Sequence, residues 1–77
     1  MPGDDAYSVA LFHISSAVLR SEKILAGKGF KTKLIPVPRS LSSDCGIALR
    51  FDTDAETQVR EILETSGVAI DSIHPMP

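Results

Sequence analysis

Cys45 is the one thiol in a chain of 77 residues. It stands in a stretch whose residue types suit it: Pro36-Val-Pro-Arg-Ser-Leu-Ser-Ser-Asp-Cys-Gly46. A thiolate is a strong nucleophile and can accept sulfur or selenium. It is stabilised where backbone N–H groups or cations face it. Arg39 stands a short turn earlier and could fold back toward the sulfur. Ser40, Ser42 and Ser43 can donate hydrogen bonds to a persulfide or selenide. Gly46 permits close backbone approach. Asp44 works the other way, since a neighbouring carboxylate disfavours a thiolate. A lone cysteine also often serves as a small apolar residue, and residue types alone leave both readings open.

The remaining chemistry-bearing residues have plainer roles. His13 ends an apolar run, so it reads as a strand-end histidine; a Cys–His pair is the sharper alternative. His74, in the tail, reads as solvated. Asp52, Asp54 and Glu56 crowd one helix start, where capping and the helix dipole account for them better than a metal site does. Lys28, Lys31 and Lys33 form a small basic patch, either a solvated edge or a docking point for an acidic partner. One cysteine cannot build a zinc site or an internal disulfide. Gly27-Lys-Gly29 follows a helix instead of opening one, so it is no phosphate loop. No cofactor or metal is expected.

Certain elements must position these residues. Tyr7 to His13 is apolar on both alternating sets, as in a central strand. Ser15-Ser16 offers an N-cap. Ala17, Val18, Ser21, Ile24 and Leu25 then share one helical face up to Ala26, and Gly29 suits a left-handed helix end. Phe30 to Val37 is a second strand. Its alternating lysines and its prolines Pro36 and Pro38 mark an edge. Ile47, Leu49 and Phe51 alternate in a third strand. Thr53-Asp-Ala-Glu56 has capping-box spacing and opens a helix carrying Ala55, Val59, Ile62 and Leu63, which Gly67 closes. Val68-Ala-Ile70 and Ile73 form a weak last strand, followed by a tail containing proline.

The order βαββαβ predicts an α+β two-layer sandwich of ferredoxin-like topology, an antiparallel sheet with both helices on one face. The chain reads as a single small domain over residues 1–77, with its ordered core at about 7–73. The other sheet face is left open, or pairs with a partner or with a second copy in a homodimer.

Composition narrows the classes. The chain is 43% hydrophobic and 23% charged, with net charge −2 and basic residues scattered along it. Those values are globular and argue against nucleic-acid and anionic-membrane binding. No apolar run approaches the roughly 20 residues of a membrane span. The start Met1-Pro-Gly-Asp-Asp lacks the pattern of a signal peptide. A cytoplasmic, reducing setting is the expectation.

Leu34-Ile-Pro-Val-Pro-Arg39, then Ser43, Cys45-Gly46 and Ala48-Leu-Arg-Phe51, resemble the DUF3343 family of selenium/sulfur carrier-like proteins. The strand-to-helix start from Phe12 to Leu25, with Glu22-Lys23 inside it, adds to the likeness. The resemblance covers about residues 7–73, and the proline–arginine run ahead of Cys-Gly is its specific part. It implies that Cys45 is the reacting residue and holds sulfur or selenium as a persulfide or selenide. A donor such as a cysteine desulfurase would load it, and an acceptor protein would unload it. Arg39, Ser42, Ser43 and Gly46 would then form the binding surround. This describes a carrier or binding protein more than a turnover enzyme. The alternative is a ferredoxin-like ligand-binding or protein-interaction module, as in ACT-type domains, with an inert cysteine. A third is a structural partner in a larger redox complex.

Overall fold

The computed structural model describes residues 6–41 and 46–76. Its elements follow the expected order: β1 (Tyr7–Leu11), α1 (Ser15–Gly27), β2 (Thr32–Pro36), β3 (Ile47–Asp52), α2 (Glu56–Thr65) and β4 (Ser72–Pro75). The strands form one antiparallel sheet in the order β2-β3-β1-β4. This is the ferredoxin-like arrangement. Its two central strands carry the apolar sequence, and its two proline-bearing strands, β2 with Pro36 and β4 with Pro75, lie at the edges, where a missing N–H costs no ladder bond.

Strand alternation divides the side chains between the two sheet faces. Ala10, Phe12, Leu49 and Phe51 meet Val18 and Leu25 of α1 and Val59 and Leu63 of α2 in the main core. Ser21 is also buried on α1, and its hydroxyl donates to the Ala17 carbonyl at 2.7 Å. The helix thus keeps a small polar residue on its apolar face without an unpaired hydroxyl. Gly29 and Gly67 take positive φ just past the two helix ends, as their place in the sequence predicts.

The second sheet face is less open than expected. Val9, Leu11 and Ala48 are buried there, with Ile35, Val37, Leu41 and Met76 packed against them. Leu41 belongs to the β2–β3 connection and Met76 follows β4. Two chain segments therefore lie over this face where no helix does.

Several local expectations are corrected. Neither Ser15 nor Ser16 caps α1, whose N-cap is Ile14 without a side-chain bond. The capping box at Thr53 does not form either. A 3-10 turn, Thr53–Ala55, precedes α2. The Thr53 hydroxyl instead shares a 2.9 Å hydrogen bond with the buried Ser8, and Glu56 pairs with Arg60 at 3.2 Å. Residues 68–70 are not a strand. Val68 fills the core and the last strand begins at Ser72. His74 lies on that strand, half-buried, with Nε2 2.8 Å from the Ser72 hydroxyl.

Candidate functional site

The antiparallel pairings fix which chain segments meet at each end of the sheet. β1 and β2 both run antiparallel to β3, and β4 runs antiparallel to β1. The C-terminal ends of β1 and β2 and the N-terminal ends of β3 and β4 therefore lie at one end. That end gathers the start of α1, the 37–46 connection and the approach to β4.

The connection has a defined frame. Val37 N–H donates to the Gly46 carbonyl at 3.2 Å, one rung beyond β2 and β3. Leu41 N–H donates to the Pro38 carbonyl at 2.9 Å, which closes a turn with Arg39 and Ser40 exposed at its corners. Proline before the corner and serine within it suit such a turn. Leu41 then anchors the turn on the apolar patch of Val9, Leu11 and Ala48. Gly46 has φ +76, a conformation that glycine takes at little cost.

Of the predicted site residues, Arg39 and Gly46 belong to this frame, one at the turn corner and the other at its return to the sheet. Cys45, Ser42 and Ser43 lie outside the described residues, as does Asp44.

His13 reaches the same end of the sheet. Ala10 pairs with Leu49, and continuing that register brings position 13 opposite position 46. The His13 ring lies 3.5 Å from the Asp71 carboxylate. Asp71 is itself tied back by its N–H to the Leu11 carbonyl at 2.8 Å.

A cavity of about 390 Å³ opens beside them, between the first turn of α1 and the segment after α2. Its wall includes His13, Ile14, Ala17, Arg20 and Val68. The Arg20 guanidinium donates to the Ser66 carbonyl at 3.1 Å across this gap. Sequence reading missed the cavity because the residues facing each other are so far apart in the chain. The available hint is Ile14, an apolar residue 61% exposed before a helix.

Among the described residues no group of histidines, cysteines and carboxylates is arranged to hold a metal ion. No helix there is long and apolar enough to cross a membrane.

The sequence profile of the family described as "Putative Se/S carrier protein-like" matches residues 7–75. The chain belongs to that family. The match begins on the first residue of β1 and ends on the last of β4, so it covers the whole sheet and both helices of this Se/S carrier-like chain. No curated protein and no solved structure matches it.

Proposed function

We propose that this Se/S carrier-like chain holds a sulfane sulfur or selenium atom on Cys45 and passes it between partner proteins. The observation that carries the reading is the family match across the whole sheet, in a chain with a single cysteine. Two features support it. Cys45 falls in the sequence between β2 and β3, whose described ends are joined by the Val37–Gly46 rung, and connections between strands suit hand-over between proteins. Arg39 occupies an exposed turn of the same connection, from which a guanidinium can bind an anionic adduct by charge-assisted hydrogen bonds.

In the loading step the Cys45 thiolate attacks the outer sulfur of a donor persulfide. A sulfur–sulfur bond forms at Cys45 and the donor's own bond breaks. The donor leaves as a thiolate carrying the electron pair, so no external oxidant is needed. Unloading is the same exchange with an acceptor thiolate attacking the outer atom. Selenium would follow the same path. A cysteine desulfurase is a donor of the required chemistry, and the reducing cytoplasm would keep the free thiol available.

The test is intact-protein mass spectrometry after incubation with a persulfide donor. A gain of one sulfur on the wild-type chain, absent from Cys45→Ser, is expected. Alkylation of Cys45 by iodoacetamide should also persist well below the ordinary thiol pKa of about 8.5. No Cys45-dependent mass gain, with alkylation following an ordinary thiol, would overturn the carrier reading in favour of an interaction module with an inert cysteine.

A further inference from the structure

We infer that the sheet face opposite the helices docks an acidic amphipathic helix of a partner protein. A row of basic side chains running across the strands would recognise it. The pairings place Lys33 opposite Arg50, Arg50 opposite Val9, and Val9 opposite His74. Val9 belongs to the cluster on the face away from the helices, and side chains level with one another across a sheet share a face. Lys33, Arg50 and His74 therefore form one line over all four strands. Lys33 is exposed, while Arg50 and His74 are half-buried.

Directly opposed like charges destabilise a sheet, and Lys33 faces Arg50 directly. No carboxylate among the described residues forms an ion pair with either. Arg50 rests instead on Tyr7, its Cζ 4.2 Å from the ring centroid. One carboxylate, Asp52, belongs to the next row, opposite Tyr7 at the strand end. The whole chain has a net charge of −2, yet this row is basic. Glu56, Glu61 and Glu64 are on α2, in the other layer. In that layer they are accompanied by Arg20 and Lys23 of α1 and Arg60 of α2, whereas among the described residues no carboxylate lies in the row itself.

Shape narrows the occupant. Three strand spacings of about 4.8 Å make the row about 14 Å long. Carboxylates at positions i, i+4 and i+8 of a helix span about 12 Å along one face. The row is flanked by half-buried apolar residues, Ile35 and Leu41 on one side and Tyr7 and Met76 on the other. A helix with a carboxylate stripe and apolar neighbours fits both features, and helix-in-groove recognition works through such anchors. An extended peptide would add to an edge of the sheet and miss a row that crosses the strands.

The surface is independent of any chemistry at Cys45, and the test separates the two. The probe is a fluorescein-labelled helical peptide of about 20 residues, long enough to hold a helix. It carries glutamates at every fourth position with leucines beside them, and a glutamine version serves as control. Binding to the full reduced chain is followed by anisotropy and by amide chemical shifts.

Shifts centred on Tyr7, Val9, Lys33, Arg50 and His74 are expected. The glutamine peptide should bind about tenfold more weakly, and binding should weaken with salt. Lys33→Glu, at an exposed position, should cost about tenfold; Arg50→Glu should do the same where its spectrum shows a native fold. Shifts confined to the helices, equal affinity for both peptides, or no binding would overturn the proposal. So would self-association through this face that Lys33→Glu abolishes without any peptide binding, since the occupant would then be a second copy. Sulfur loading of Cys45 should be the same in wild type and Lys33→Glu, so failure of either idea leaves the other readable.

Discussion

Ser8 and Thr53 share a 2.9 Å hydrogen bond between their hydroxyls, joining the start of β1 to the turn before α2. Ser8 is 1% exposed and lies on the helix side of a central strand. Its hydroxyl would otherwise be a desolvated polar group with no partner. The bond therefore decides the role of Thr53, which serves the sheet and not the helix end. The Thr53 N–H, which a capping-box glutamate would take, donates to the Ala6 carbonyl at 3.1 Å.

Thr53→Val should accordingly cost about 1–3 kcal/mol, because it leaves the Ser8 hydroxyl buried and unpaired. In a domain of this size that lowers the melting temperature by about 4–8 °C per kcal/mol. Adding Ser8→Ala should recover most of the loss, since removing both partners leaves nothing unsatisfied. Urea denaturation of the two single variants and the double variant checks this. A double variant as unstable as the sum of its parts would show that the bond is incidental.

The architecture was legible because its signals are repeated. Tyr7 to Leu11 is apolar on both faces, β2 carries lysines and prolines, and α1 holds Val18, Ser21 and Leu25 on one stripe, so strand and helix periods agree with burial. What escaped depends on distance in the chain. Nothing local marks Ser8 as the partner of Thr53, and without that partner the capping box is the natural reading. The sequence pattern puts the last strand too early because Val68 and Ile70 are as apolar as strand residues. Val68 is buried in the core and Ile70 packs half-buried against it, while the ladder forms at Ser72–Pro75. At the candidate site, the turn of Arg39 and the special backbone of Gly46 were readable from proline, serine and glycine. The pairing of His13 with Asp71 was not, because it needs β4 to be threaded beside β1.

Leu49 and Leu41 should separate the two apolar clusters. Leu49 is fully buried between sheet and helices, so Leu49→Ala should cost about 2–5 kcal/mol through lost burial and a residual cavity. Small domains have only about 5 kcal/mol or somewhat more to lose. That variant should therefore keep only a small part of its stability and melt well below the wild type. Leu41 is half-buried and anchors only the turn; Leu41→Ala should cost about 1 kcal/mol. Its mark should be local. Amide exchange at Val37 and Leu41, whose N–H groups make the two bonds of the connection, should accelerate well before exchange in β1 and β3. Uniform acceleration across the sheet would show that this turn is part of the cooperative core.

Two glycines should respond to alanine with opposite signs. An added Cβ would meet nothing within 4 Å at either Gly46 or Gly27, so crowding does not decide either case. Gly46 has φ +76, where an L-residue pays about 1–2 kcal/mol. Gly46→Ala should destabilise by that amount. It should also shift the β3 entry, seen as amide shift changes at Ile47 and Val37. Gly27 is the last residue of α1 and has no positive φ. There alanine narrows the unfolded ensemble without native strain, and Gly27→Ala should stabilise by about 0.4–1 kcal/mol. Paired denaturation curves at equal protein concentration decide the matter. Equal effects at the two positions would mean that the left-handed turn at residue 46 is not needed to return the connection to the sheet.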